Sequence, residues 1–182
     1  FMTRRDGKKI RIEKNFLPSI FFNKLKDLVT ARDFPWYFLK QTTTNLPGVE
    51  QDKHFMFSHV LFNMVPPAPT GKYFKDFEPI LYFLDDKIKL KELLRMKINL
   101  YTNQNKIIEH AGHTDINEKL IPDPRATISI LNFVTCNGGT KVAGKKYSSN
   151  ENELLIFNNL NQHSGIVQTD TQTRIVLNIA TL

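Results

Sequence analysis

The second half of the chain consists of short apolar stretches divided by turn residues, and this pattern restricts the fold more than any other feature. Stretches rich in β-forming residues occupy 95–103, 127–134, 139–142, 153–158, 163–168 and 173–180. Between them stand Asn137-Gly138-Gly139, Ser148-Ser149-Asn150 and Thr169-Asp170-Thr171. Such residues favour turns because their side chains bond the local backbone or, in glycine, leave φ free. Strands this short and this evenly spaced fit a sandwich or barrel. The first half adds helices. Residues 18–30 place Phe21, Leu25, Leu28 and Val29 on one helical face, with Pro18 admissible in a first turn. Pro66, Pro67 and Pro69 are expected to break regular structure. Phe77, Ile80, Leu81 and Leu84 then return at helical spacing, and 87–94 is expected to add another turn or two. Extended segments are expected at 36–40 and 55–63, separated by a polar loop through Asn45-Leu46-Pro47-Gly48. The fold class that follows is mainly β (α+β), a β-sandwich or jelly-roll core with N-terminal helices packed outside.

A chain of 182 residues with 41% hydrophobic residues can bury one core without disulfides. A single domain over 15–182 is expected, behind a basic tail at 1–14 in which Phe1, ahead of Met2, reads as a cloning remnant. Fourteen Phe beside one Trp and five Tyr suggest dry packing between sheets or between sheet and helix. The lone Cys136 cannot form an internal disulfide and reads as a passenger on a turn, so a reducing, cytoplasmic setting is expected. No apolar run is long enough to span a bilayer. The net charge of +7 is concentrated in the tail, where six basic residues face two acidic ones, a net of +4. That reads as a solvated terminus, and nucleic acid is not an expected partner.

His113 and Asp115 stand two residues apart, so in an extended segment both side chains leave the same face and can share a metal. His163 follows 48 residues after Asp115, enough for several strands to bring it back beside them. Two His and one carboxylate on one face of an ion leave the opposite positions open, as in non-haem Fe(II) oxygenases. A zinc hydrolase could use the same three residue types. A structural zinc site normally takes four ligands with sulfur among them, and Cys136 is the only thiol. Arg174, eleven residues after His163 on the next expected strand, could form a bidentate pair with a carboxylate.

These residues, over roughly 95–182, resemble the Fe(II)/2-oxoglutarate-dependent dioxygenases of the double-stranded β-helix (jelly-roll, cupin-like) fold, close in pattern to prolyl-hydroxylase-like members. The likeness runs through a strand ending in Tyr101, His113 and Asp115, the strand Thr127–Asn132, the turn Gly138-Gly139-Thr140, residues 153–157, His163-Ser164-Gly165, and Arg174 leading into 175–179. The compact form with Phe34-Pro35-Trp36 is also similar to small viral and marine-microbial members. The resemblance implies that His113, Asp115 and His163 bind Fe(II) and that 2-oxoglutarate chelates it through the keto acid. Arg174 would pair with the distal carboxylate and O2 would take the remaining position. It implies hydroxylation of a C–H bond of a protein residue (prolyl-type) or a small molecule, with release of succinate and CO2. Tyr101 matches a position that bonds the co-substrate. Val176 stands where some members carry a hydroxyl residue, so a second bond to the distal carboxylate is expected from Tyr101 or Thr140. Asn132 stands where relatives carry a co-substrate-binding Tyr.

Other candidates are assigned plainer roles. The odd spacing of His110 from His113 sends it to the other face, as a loop or mouth residue. His54 and His59 alternate with Phe55, Phe57 and Leu61 as packing or edge residues, Trp36 is a core anchor, and Lys145-Lys146 form a charged hairpin tip. Loops at 46–53, 66–75 and 106–112 are expected to surround the site. Two further function classes stay open: a non-catalytic metal- or ligand-binding β-sandwich, and a nucleic-acid-directed oxygenase.

Overall fold

A computed structural model of the chain describes residues 10–42, 54–116 and 125–182. In chain order the elements are β1 (Arg11–Glu13), α1 (Ser19–Thr30), β2 (Tyr37–Leu39), β3 (Met56–Met64), β4 (Pro67–Pro69), α2 (Phe74–Phe77), α3 (Ile80–Ile88), β5 (Leu93–Thr102) and β6 (Ile108–Glu109). They continue as β7 (Thr127–Asn132), β8 (Cys136–Val142), β9 (Lys145–Ser149), β10 (Leu154–Asn158), β11 (His163–Val167) and β12 (Thr173–Thr181). One sheet runs β1-β10-β7-β12-β5-β3-β2, with β4 added beside β3. The second runs β6-β11-β8-β9. All pairings are antiparallel, and the two sheets form the jelly-roll core.

The large sheet buries both faces, and strand alternation decides what each face carries. On β12, Ile175, Leu177 and Ile179 join Phe22, Leu25 and Val29 of α1 and Phe77, Ile80 and Leu84 of α2 and α3 in one apolar cluster. Residues of the opposite parity on β12, Val176 and Ala180, face a second cluster that includes Ile108, Val142 and Val167 of the small sheet. The helix layer is rich in Phe, as composition suggested. Phe133, fully buried, stacks on Phe22 with ring centroids 5.6 Å apart. Phe133→Ala removes a fully buried ring and its stacking partner's contact. It is expected to cost about 3–5 kcal/mol of stability, measured as a lowered urea midpoint with unchanged slope.

Several expectations are corrected. The buried stripe of α1 is Phe22, Leu25 and Val29, with Phe21 and Leu28 partly buried at its margins. Pro67–Pro69 does not break the fold but lies at a sheet edge, where a missing N–H is tolerated. Helix α3 ends at Ile88, and residues 89–94 add no further turn. Lys89 takes a left-handed φ of 56° at the end of α3, and the Lys91 and Glu92 amides then donate to the Leu182 carbonyl. Asn137-Gly138-Gly139 is not a turn but lies inside β8 at a register shift. A Cβ on Gly139 would lie 2.3 Å from the Tyr147 carbonyl oxygen, and one on Gly138 2.7 Å from that of Ile166, so neighbouring backbones need both glycines. The β8–β9 hairpin turns instead at Ala143-Gly144, both with positive φ. Ser148 and Ser149 end β9, and Lys145 and Lys146 begin it.

The basic tail is not wholly solvated, because β1 pairs with β10 and Arg11 donates to the Lys87 carbonyl at 2.8 Å. Residues 1–9, 43–53 and 117–124, with them the loop expected through Asn45-Leu46-Pro47-Gly48, lie outside the described residues. Among the described residues, no helix is long and apolar enough to cross a membrane.

Candidate metal centre and its cavity

The chain brings His113 to His163 by backbone pairing. Each donates its amide to the other's carbonyl at 2.9 Å, an isolated bridge at the end of β11. Their ring centroids lie 4.5 Å apart. Asp115 follows two residues later and turns its carboxylate to both, with Oδ2 3.1 Å from His163 Nε2 and Oδ1 3.9 Å from His113 Nε2. One donor atom from each of the three lies within 4.8 Å of the others. Two donors at right angles around a first-row ion, each about 2.1 Å from it, stand about 3 Å apart, so the 3.1 Å pair already has the spacing of neighbouring ligands. The Ala111 carbonyl faces His113 Nδ1 at 3.2 Å and assigns the proton to that nitrogen, which leaves the Nε2 lone pair free. Two imidazoles and one carboxylate, with an open side toward a cavity, fit Fe(II).

The electrostatics keep this donor set ready for a metal. Burial, with the neighbouring His163, lowers His113 to about 4, against an opposing pull from Asp115. Burial alone would raise the Asp115 carboxyl, but Arg95, His163 and Lys97 together hold it well below the usual carboxylate range. Each of its oxygens is also held by a donor. Arg95 Nη2 donates to Oδ1, and Asn178 Nδ2 donates to Oδ2 at 2.8 Å. A histidine lowered from 6.5 to about 4 refuses, when folded, a proton that the unfolded chain accepts. Its contribution to stability is therefore complete above about pH 6.5 and is lost as pH falls to about 4. The metal-free protein should lose stability across that window, and His113→Gln should flatten the loss by at most about 1.4 kcal/mol per pH unit. Urea unfolding at stepped pH checks this, and parallel curves for the two proteins would contradict it.

A cavity opens from the three donors and ends at Arg174. Arg174 is 1% exposed, and its Nη2 donates to Thr140 Oγ1 at 2.9 Å. Its guanidinium carbon lies 5.4 Å from the centre of the Tyr101 ring. Its Nε is buried without a hydrogen-bond partner, and no carboxylate among the described residues pairs with it. Burial lowers its pKa, while Tyr101 and Cys136 pull the other way. A guanidinium stays charged even so, and a buried charge without a counter-ion is strongly unfavourable until an anion arrives.

Of the residues singled out from sequence, His113, Asp115, His163, Arg174, Tyr101 and Thr140 all line this cavity. Asn132 is not brought to it. Its Oδ1 accepts from Ser149 Oγ at 3.0 Å and its Nδ2 donates to the Glu153 carbonyl at 3.3 Å, which holds it against β9 and β10. His110, assigned to the opposite face, lines the cavity with its ring centroid 5.3 Å from that of Tyr101. Strand alternation does not carry from β6 to His113, because 110–112 is not a strand. His59 packs as expected, with Nδ1 2.8 Å from the Pro35 carbonyl oxygen, and Trp36 stacks edge-on against Phe34. Lys97, Asn99 and Asn178 also line the cavity, with Arg95 beside them, and all four were overlooked. Their signal was present in the chain. Residues 95, 97, 99 and 101 are polar or aromatic at every second position, between apolar Met96, Ile98 and Leu100.

No family model matches the sequence, and no curated protein matches it. Among solved structures, the chain is similar to an oxidoreductase of the 2OG-Fe(II) oxygenase family from Burkholderia pseudomallei. That likeness has a TM-score of 0.69 and 12% identity, and covers 98% of this chain and 86% of that one. It is also similar to a Trichoplax adhaerens prolyl hydroxylase in complex with a peptide fragment of hypoxia inducible factor, with a TM-score of 0.66, 12% identity, and coverage of 98% and 84%. A viral collagen prolyl hydroxylase from Paramecium Bursaria Chlorella virus-1, in complex with 2OG, gives a TM-score of 0.57, 12% identity and 98% coverage of both chains. The fold is the one found in the 2OG-Fe(II) oxygenases.

Proposed function

We propose that the protein is an Fe(II)- and 2-oxoglutarate-dependent dioxygenase, with residues 15–182 as one catalytic domain, that hydroxylates a C–H bond of a peptide residue or small molecule. One observation carries this reading. The three donors converge at one end of a cavity whose other end is a buried arginine with no carboxylate partner among the described residues. Such a pocket suits a metal and an anion bound together.

In this reading His113 Nε2, His163 Nε2 and an Asp115 oxygen hold the iron, and Arg174 receives the distal carboxylate of 2-oxoglutarate. Bound iron, co-substrate and O2 supply the oxidising chemistry, with succinate and CO2 as by-products. The chain's own residues position and exclude. Arg95 and Asn178 fix the Asp115 carboxylate, so a ligand oxygen is aimed before the metal arrives. Thr140 accepts from Arg174, which leaves its hydroxyl hydrogen free to donate to the same carboxylate. Tyr101 and His110 stack together and wall the cavity near Arg174. The peptide held by the Trichoplax adhaerens structure makes a peptidyl substrate, prolyl-type by analogy, a reasonable first candidate. The single buried Cys136 fits a reducing compartment.

Anaerobic titration with Fe(II) followed by 2-oxoglutarate tests the proposal. A weak visible charge-transfer band that saturates with 2-oxoglutarate is the expected result. Folded, metal-loaded protein that gives no band would leave the ligand-binding β-sandwich as the better account.

A further inference from the structure

We propose that Lys97 sets the substrate class at this centre by taking a carboxylate that the substrate carries close to the oxidised C–H bond; this rests on the oxygenase reading and deepens it. Lys97 points from β5 into the cavity, on the face shared with Asn99 and Tyr101. Its side chain is 17% exposed. Among the described residues its nearest opposite charge, Asp115 Oδ1, is 3.9 Å away, beyond hydrogen-bond distance. That oxygen already accepts from Arg95, and the other accepts from Asn178. Asp115 is therefore satisfied without Lys97. Among the described residues Lys97 donates no hydrogen bond, although an ammonium carries three donors. An unused ammonium in a half-closed cavity beside a reacting centre is a site for an acceptor.

Charge points the same way. The centre holds three cations, Arg95, Lys97 and Arg174, against the one carboxylate of Asp115 among the described residues. A divalent ion and a dicarboxylate co-substrate cancel each other, so the loaded cavity keeps its surplus of positive charge. Arg174 stands at the far end with Thr140 and Tyr101 and has its own anion to bind. Arg95 is committed to Asp115. Lys97 is the cation left for a further anion, and its place beside the metal ligands puts that anion near the bond to be oxidised. A free organic acid and an acidic side chain of a peptide offer the same carboxylate.

The test loads the protein with Mn(II) in place of iron and with saturating 2-oxoglutarate, and follows relaxation of probe protons by the bound Mn(II). The probes are butyrate against butyramide, and N-acetyl-aspartate methylamide against its asparagine counterpart. In wild type the carboxylate of at least one pair should bind about tenfold tighter than its amide. The pair that shows the preference tells free acid from side chain. Lys97→Met should abolish the preference and Lys97→Arg should keep it, with 2-oxoglutarate affinity within about twofold in all three proteins. Lack of preference in wild type, or its survival in Lys97→Met, overturns the proposal. A 2-oxoglutarate affinity about tenfold weaker in Lys97→Met also overturns it, because Lys97 would then hold the co-substrate, and the oxygenase reading would stand. Wild-type protein that binds no 2-oxoglutarate with Mn(II) removes both.

Discussion

His163→Ala is expected to abolish the charge-transfer band and to weaken Fe(II) binding by more than about a hundredfold, since even partners that only orient a metal ligand are worth about 10–100-fold. The alanine keeps the main-chain bonds that tie position 163 to His113, and its place opposite Val142 of β8. Loss of binding therefore reports on the imidazole rather than on the sheet. Asp115 Oδ2 loses the His163 ring at 3.1 Å but keeps the Asn178 amide as a donor at 2.8 Å. Calorimetric titration with Fe(II) under anaerobic conditions, beside circular dichroism of the same sample, gives the answer. Near-normal affinity in a folded variant would exclude His163 as a ligand.

Arg174→Met should separate the co-substrate from the metal. Truncating one partner of a buried charge pair costs about 2–5 kcal/mol, so 2-oxoglutarate affinity should fall by roughly one and a half to three and a half orders of magnitude. Iron affinity should change little, because the arginine touches none of the three donors. The effect on stability should have the opposite sign. Without ligand, Arg174 is a buried charge without a carboxylate, and an apolar side chain of similar length relieves that cost. Ligand-free Arg174→Met should therefore unfold at higher urea than wild type, less the cost of leaving Thr140 without its donor. A variant that is weaker in both respects would mean that Arg174 is a structural residue, not an anion receptor.

Much of this centre was legible because strands impose a period of two. Arg174 on a later strand followed from spacing, whereas His113 and Asp115, expected on one face of an extended segment, converge in an irregular stretch with only an isolated bridge at His113. The six strands expected in the second half lie within a few residues of their bounds, since β-branched runs and turn chemistry mark them locally, whereas β9 was not expected because Lys145-Lys146 and Ser148-Ser149 look like hairpin tip and turn. What escaped depends on partners distant in sequence. β1 is a three-residue strand whose only warrant is its neighbour β10, and β6 is two residues long. Gly138 and Gly139 look like a turn until the flanking backbones are seen. His110 was misplaced by extending strand parity through a segment that is not a strand. Arg95 and Lys97 look like surface charges until β5 is known to be central, flanked by β12 and β3, with both faces covered.

Asn178 steadies the Asp115 carboxylate, and Arg174 lies four residues before it on the same strand, at the other end of the cavity. β12 is clamped between β5 and β7 over most of its length. A strand rises about 3.3 Å per residue and barely stretches, so β12 acts as a caliper roughly 13 Å between its jaws. A dicarboxylate one carbon longer or shorter could not be accommodated by sliding the arginine, because a slip of one residue turns every side chain to the helix layer. In the oxygenase reading, a cation kept on β12 could move only in steps of two residues, roughly 6.6 Å, which is far more than one carbon of a dicarboxylate.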